Sequence, residues 1–319
     1  MNLQFHRLRV LLRARRALAF PPGTAANRIR GLLGSVLRKL SCPPDCSSPE
    51  RCPYGRTCLY GQMFAPIAGG GPSGLRNRPR PFTIRPPAFD GQRVPAGSAF
   101  AVDLHLFDLR PRTAAAIMEA LVFLADSIGG RPGGAELVRA ETLELEGRVR
   151  AAVFDNRQWR PSPPVAVPLD APVQPVSRLR VEFLTPVELK GGDFTAANPE
   201  FAVLLSRARD RVANLIRFYG EEQDAAGLAG IDFAGLGARA KAVACVNARL
   251  EPVSAWRTSR GTGRTHGLGG LVGEAAYAGA LGEFLPWLEA AQWTGVGRQT
   301  VWGKGVLRVH TEAETRDAG

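Results

Sequence analysis

The sequence predicts an α+β protein of two tandem units, each ordered strand, helix, strand, strand, helix, strand. Three observations predict it. Leu8, Val10, Leu12 and Ala14 alternate with Arg7, Arg9, Arg13 and Arg15, the period of a half-buried strand. Ile29, Leu32, Leu33, Val36, Leu37 and Leu40 recur at helical spacing. A stretch from Pro161 to Pro175 holds six prolines, suited to a linker, and past it the same order of patterns begins again. A chain of 319 residues also has room for two domains at about 150 residues each.

The elements follow in order. Pro21-Pro22-Gly23 is a turn signal between the first strand and the first helix. Residues 41–66 form a Cys/Pro-rich insertion, and residues 69–80 a Gly/Pro/Arg-rich loop expected to be mobile. Phe82 to Pro86 and Ala99 to Leu109 are expected strands, Thr113 to Ile128 a helix, and Glu136 to Phe154 a hairpin. The first domain is thus 1–160 and the linker 161–175. In the second domain, 176–311, Leu179, Val181 and Phe183 alternate as a strand, and Phe201, Leu204, Leu205, Ala208, Val212, Leu215 and Ile216 form a helical stripe. Strands are expected over Lys241 to Trp256 and Gly267 to Ala278, with Cys245 as a buried apolar filler. A helix at 281–292 and a strand at 299–309 close the unit, and 312–319 is a tail. This order is the ferredoxin-like unit, of which the RNA-recognition motif is one version.

The net charge of +12 favours a polyanionic partner. Residues 1–40 carry nine Lys or Arg and no Asp or Glu, with Arg28, Arg30 and Arg38 opposite the apolar stripe of the first helix. Period-two patterning and the lack of an apolar signal core argue against a targeting peptide. No apolar run approaches the ~20 residues that span a membrane, so no membrane partner is expected.

The most informative motif is Gly295-Val296-Gly297-Arg298-Gln299-Thr300-Val301-Trp302-Gly303-Lys304-Gly305. Two Gly-x-Gly pairs bracket an arginine, and the second pair carries a lysine. Glycine lets backbone amides approach an anion, and Arg298 and Lys304 supply attraction, so the expected ligand is a nucleic-acid phosphate. A dinucleotide fingerprint needs strand, loop, helix, whereas here the order is helix, loop, strand. A turn that only lets a helix pack on a strand is the other reading.

These stretches resemble the CRISPR-associated endoribonucleases of the RAMP superfamily that cut precursor CRISPR RNA within its repeats. The glycine-rich loop at 295–305, with Phe284-Leu285-Pro286-Trp287-Leu288 before it, matches that family's C-terminal signature. Arg30-Gly31-Leu32-Leu33-Gly34 followed by Cys42 resembles the first helix in the cysteine-containing branch, and Cys52-Pro53-Tyr54-Gly55, Phe64-Ala65-Pro66 and Gly269-Gly270-Leu271-Val272-Gly273-Glu274 support it by their order. The chain differs in carrying Lys304 where members have a hydrophobic residue, and in lacking histidine between residues 7 and 104, where many place a catalytic one. The resemblance implies a cytoplasmic, metal-independent endoribonuclease acting on CRISPR repeat RNA, with crRNA and other effector-complex subunits as partners. The alternative it implies is a non-catalytic RNA-binding subunit on the same fold. A basic protein bound to DNA or ribosomal RNA is a third reading, from charge alone.

Cys42, Cys46, Cys52 and Cys58 lie within seventeen residues. Four thiolates suit a structural zinc; an iron–sulfur cluster and free or partly paired thiols are the alternatives. No cofactor is expected for catalysis, because the RNA 2′-hydroxyl can attack the adjacent phosphate and leave a 2′,3′-cyclic phosphate. That chemistry needs a base, an acid and cations. The histidines are His6, His105, His266 and His310. His266 lies in a basic loop with Arg260 and Arg264, and His6 adjoins the cationic strand; these two are the catalytic candidates. His105 is expected to be structural and His310 solvated, with Lys39 and Lys241 as non-histidine participants. RNA contacts are expected from Arg7, Arg9, Arg13, Arg28, Arg38, Arg260, Arg264, Gly295, Gly297, Arg298, Gly303, Lys304 and Gly305.

Overall fold

A computed structural model describes residues 1–43, 46, 52–55, 57–66, 77–155, 158–172, 175–189, 194–258 and 265–311, without the side chains of 257, 258 and 266. The tail and most of the Gly/Pro/Arg-rich loop therefore lie outside the described residues. The chain divides into two compact units: Gln4–Ala166 with Phe218–Glu221, and Met1–Leu3 with Val167–Arg217 and Glu222–Gly319.

In the first unit the order is β1 (Asn2–Ala14), β2 (Leu18–Ala19), α1 (Ala25–Ser41), α2 (Leu59–Phe64), β3 (Phe82–Ile84), β4 (Arg93–Val94), β5 (Ala99–Leu106), α3 (Pro111–Ser127), β6 (Ala135–Leu143), β7 (Val149–Asp155), β8 (Gln158–Trp159) and β9 (Val165–Pro168). The sheet runs β3-β5-β1-β6-β7-β8, each neighbouring pair antiparallel, and β9 pairs with β1. Its first four strands have the ferredoxin-like order; the β7–β8 extension is additional. The alternation in β1 does what its period demands: Leu8, Val10, Leu12 and Ala14 are buried, while Arg7, Arg9 and Arg13 are not. α1 buries Ile29, Leu33, Val36 and Leu37, and α3 buries Ile117, Leu121 and Leu124. Side chains of this size each contribute about 1.5–3 kcal/mol when fully enclosed.

α1 takes its N-terminal cap from far along the chain. The Thr24 side chain does not cap it. Instead the Asp90 carboxylate accepts from the amides of Gly23 (2.6 Å), Thr24 (3.1 Å) and Ala25 (2.8 Å). Those amides have no intrahelical acceptor, and an anion there also suits the helix dipole.

The second unit contains β10 (Arg178–Val187), α4 (Phe201–Tyr219), α5 (Glu222–Gly227), α6 (Phe233–Ala240), β11 (Ala244–Val253), β12 (Trp256–Thr258), β13 (Thr265–Gly267), β14 (Gly270–Ala278), α7 (Leu285–Thr294) and β15 (Leu307–Thr311). The last two residues of α4 cluster with the first unit. The sheet order β11-β14-β10-β15 repeats the ferredoxin-like arrangement, and β12 and β13 form a separate hairpin. Its core is built around Tyr277, whose ring lies 5.1 Å from that of Phe201 and whose hydroxyl donates to the Pro199 carbonyl at 2.9 Å. Burial pushes the Tyr277 phenol far above its ordinary pKa.

Two expectations are corrected. The strand placed at 299–309 begins only at Leu307, because Gln299, Gly303 and Gly305 all have positive φ and Thr300–Trp302 form a single 3-10 turn. An extended strand cannot pass through left-handed residues. Cys245 is half-buried, not a core filler: its neighbours Ala244 and Val246 on β11 are exposed, and its thiol donates to the Asn247 carbonyl at 3.5 Å.

Candidate nucleic-acid interface and catalytic groups

The basic face of β1 is largely held by the protein's own acceptors. Arg9 makes a two-pronged bond to Asp103, with Nε and Nη2 each at 2.8 Å. Such forked pairs fix the guanidinium plane. Arg13 and Arg15 share Glu136, at 3.7 Å and 3.2 Å. Arg7 donates to the carbonyls of Glu144 (2.5 Å) and Leu145 (2.8 Å), and burial lowers its pKa from the usual value. In α1, Arg28 and Arg38 are exposed, and each donates to a main-chain carbonyl, of Ala19 (3.0 Å) and Cys46 (2.7 Å).

His6 and His105 are enclosed. His6 is buried and pairs with Leu106 across β1 and β5. Burial lowers its pKa, which the nearby Asp108 carboxylate opposes. Its imidazole is therefore neutral at pH 7. His105 is buried and packs against Phe5, with ring centroids 5.2 Å apart and planes tilted by 46°.

Next to His6 the sequence reading missed a set of groups assembled around α2. Asp108 is buried; it accepts from the Arg110 guanidinium and from the Thr113 hydroxyl at 3.0 Å. Arg110 also donates to Gln62 at 3.1 Å. Arg80 donates through Nε to the Phe64 carbonyl at 2.8 Å, and the Arg30 guanidinium sits 4.8 Å from the Phe64 ring centre. Tyr60 stacks on Phe64, 5.4 Å between centroids and 4° between planes. The Tyr219 hydroxyl donates to the Pro79 carbonyl at 2.8 Å. Burial lowers the Arg80 pKa, and the Tyr60 and Tyr219 phenols are the groups that oppose it. One local signal pointed here: Asp108 and Arg110 flank the Pro111 start of α3. The rest come from separate segments and share no spacing.

The four clustered cysteines are all free and half-buried. Burial first, and then the neighbouring sulfurs, raise the pKa of the Cys42 and Cys46 thiols. The Gly61 amide donates to the Cys58 sulfur at 3.2 Å, capping α2. Burial and the Cys46 contact push the Cys42 thiol up to about 11. Among the described residues, no three Cys, His, Asp or Glu side chains stand together as a metal-binding group.

The glycine-rich loop folds onto β10. The Gly305 amide donates to the Pro186 carbonyl (2.9 Å), the Val296 amide to the Gly305 carbonyl (2.8 Å), and the Arg298 amide to the Glu188 carbonyl (3.0 Å). The amides of Gly295 and Gly303 donate to Ala291 (2.9 Å) and Thr300 (3.1 Å). Thus three of the four glycine amides are taken by the protein's own carbonyls, one in α7, one in the loop and one in β10. A Cβ on Gly305 would meet the Val296 carbonyl at 1.9 Å, and one on Gly297 the Glu188 carbonyl at 2.4 Å. Glycine is required here for close backbone approach. Arg298 forms an ion pair with Glu188 at 2.6 Å and stays half exposed, whereas Lys304 is only 7% exposed. Arg211 ties α4 to the end of α7 by donating to the Thr294 carbonyl at 2.8 Å.

Of the remaining histidines, His266 pairs with Arg257 across β12 and β13; its side chain, and Arg260 and Arg264, lie outside the described residues. His310 on β15 lies 3.4 Å from Glu182.

No helix is long and apolar enough to cross a membrane. Residues 3–165 match a family model described as an N-terminal domain, and residues 181–307 match the model of the CRISPR-associated endoribonuclease Cas6. No curated protein matches the sequence. Among solved structures the chain is similar to a Cas6 product complex, with 17% identity, TM-score 0.55, and coverage of 97% of this chain and 100% of that one. It is similar to Thermus thermophilus Cas6 at 16% identity and TM-score 0.50, covering 97% and 99%. A partial Cas6-RT-Cas1–Cas2 complex aligns at 14% identity and TM-score 0.54, over 98% of this chain and 46% of that one. These likenesses are in fold.

Proposed function

Because the chain belongs to the Cas6 family of CRISPR-associated RAMP endoribonucleases, we propose that it binds CRISPR repeat RNA and cuts it once per repeat without a metal ion. The observation that carries this reading is the match of residues 181–307 to the Cas6 family, which takes in the whole glycine-rich loop and stops at the first residue of the strand after it. The nucleophile is the RNA's own 2′-hydroxyl. It attacks the adjacent phosphorus, its proton passes to a base, and the 5′-oxygen of the next nucleotide leaves with a proton from an acid. The products are a 2′,3′-cyclic phosphate and a 5′-hydroxyl.

His266 is the proposed base, on the hairpin with Arg260 and Arg264 as phosphate contacts. His6, buried and neutral, is the second candidate and suits a proton acceptor better than a donor. In the glycine-rich loop Arg298 contacts phosphate, while Lys304 raises the local potential from beneath the surface. Gly295, Gly297, Gly303 and Gly305 hold the loop's shape. In the first unit, Arg7, Arg9, Arg13, Arg28 and Arg38 contact phosphate where they exchange an internal acceptor for RNA. The thiols of Cys42, Cys46, Cys52 and Cys58 are proposed to hold one structural zinc. The product RNA and other subunits of a CRISPR complex are the expected partners, in the cytoplasm.

The experiment is incubation of the purified protein with its repeat RNA in EDTA. One cut per repeat, blocked by a single 2′-deoxy nucleotide at the cleavage position, is expected. Cutting that needs Mg²⁺ defeats the mechanism, and tight binding without cutting returns the non-catalytic alternative.

A further inference from the structure

Among the described residues, Gln299 is the one non-glycine residue with positive φ, at +67°. A side chain in that left-handed region is uncommon, and its surroundings must hold it there. The same loop already places glycine at Gly295, Gly297, Gly303 and Gly305, all with positive φ, and a fifth glycine would carry no such strain. What glutamine adds is an amide. Its Nε2 donates to the Gly267 carbonyl at 2.7 Å and lies 3.4 Å from the Glu188 carboxylate. One side chain thus joins the glycine-rich loop to β13 and to the residue that follows β10.

The β13 end of that bond needs an anchor. β12 and β13 pair with each other and belong to neither large sheet. A lone two-stranded hairpin is marginal in water. Its tryptophan does little to fasten it, since Trp256 is 74% exposed. At the base of the hairpin the Leu268 amide donates to the Ala255 carbonyl at 2.6 Å, and the Leu268 side chain is buried. Gln299 adds a tie from outside the hairpin, one residue from His266. The loop end of the tie is firm: next to Gln299, the Arg298 amide and guanidinium both engage Glu188, at 3.0 Å and 2.6 Å.

We infer that Gln299 is a positioning residue. Its amide latches the β12–β13 hairpin to the glycine-rich loop, and so fixes the backbone at His266 relative to the phosphate contacted by Arg298. The catalytic part of this inference rests on the proposed cleavage; the latch itself does not. Base and phosphate contacts must share one frame, because a misplacement of about 1 Å costs on the order of 100-fold in rate.

The test compares wild type with Gln299→Gly and Gln299→Met, which separate the amide from the strain. Both lose the donor. Gln299→Met keeps the length, whereas Gln299→Gly also relieves the left-handed backbone, so Gln299→Gly should melt at the higher temperature of the two. Hydrogen exchange over residues 265–270, followed by mass spectrometry, should be about fivefold faster in both, the effect of one lost hydrogen bond. Single-turnover cleavage of repeat RNA should slow by about tenfold or more in both, while affinity for a repeat that is 2′-deoxy at the cleavage position stays within about twofold. A rate that follows melting temperature instead, with Gln299→Gly cutting like wild type, overturns the inference. So does affinity that falls as far as the rate, which would make Gln299 an RNA contact. Exchange unchanged from wild type overturns it as well. Should Gln299→Met fail to fold, Gln299→Gly decides on exchange, rate and affinity. Wild type that binds repeat RNA and never cuts it removes the proposed activity, and exchange then decides alone: faster exchange keeps the latch, unchanged exchange overturns it.

Discussion

At Gly305 a single Cβ would stand 1.9 Å from the Val296 carbonyl, in a backbone with φ of +66°. Gly23 has φ of +71° and open space around it. The pair separates steric clash from conformational strain. Gly23→Ala should cost about 1–2 kcal/mol, the left-handed penalty alone, and Gly305→Ala clearly more, read from urea midpoints. Equal losses would mean the loop yields where the contacts say it cannot. His6 makes a pH prediction. Its folded pKa is depressed, so below about 6.5 the unfolded chain takes up a proton that the folded protein resists. Stability from a neutral buried imidazole is present above pH 6.5 and is lost as pH falls. Melting temperatures of wild type and His6→Gln at pH 7.5 and 5.5 should therefore shift in favour of the variant at the lower pH. A constant difference would show that His6 is not enclosed.

At the scale of elements, the strands and helices with strong period were legible and their fastenings were not. β1 and α4 follow directly from the alternation of Leu8 to Ala14 and the stripe from Phe201 to Ile216, because burial of one face forces that spacing. The cap of α1 did not show, since Asp90 is 65 positions from Ala25 and a local reading looks to Thr24. Asp90→Ala should cost about 1–2 kcal/mol in thermal or urea unfolding, and Thr24→Ala much less. The end of α7 was visible from glycine, but the turn at Thr300–Trp302 was not. It exists because the loop must deliver its amides to Pro186 and Glu188, a register fixed by β10. For the cysteine segment, metal analysis should return about one zinc per chain, with Cys46→Ser losing both the metal and several degrees of melting temperature. Metal-free protein with four titratable thiols would leave them as ordinary free cysteines.

Over the whole molecule, the net charge of +12 overstates how much cation is free to meet a polyanion. Arg9, Arg139, Arg180, Arg239 and Arg298 each pair with a carboxylate within 3.0 Å. Sequence composition reports charge but not its pairing, so the basic strand was found and its neutralisation by Asp103 and Glu136 was missed. The candidate site divides the same way: the glycine-rich loop was found from spacing, while the arginines around α2 come from segments that only the fold unites.

Glu188 gives that neutralisation a kinetic meaning. It holds the Arg298 amide with its carbonyl and the Arg298 guanidinium with its carboxylate. A lone phosphate passing by must evict a tethered rival, whereas a polymer anchored at several other points can wait for the clasp to open. Neutralising the rival by Glu188→Gln should raise affinity for unrelated RNA more than for the repeat, so this one carboxylate acts as a discriminator against casual ligands.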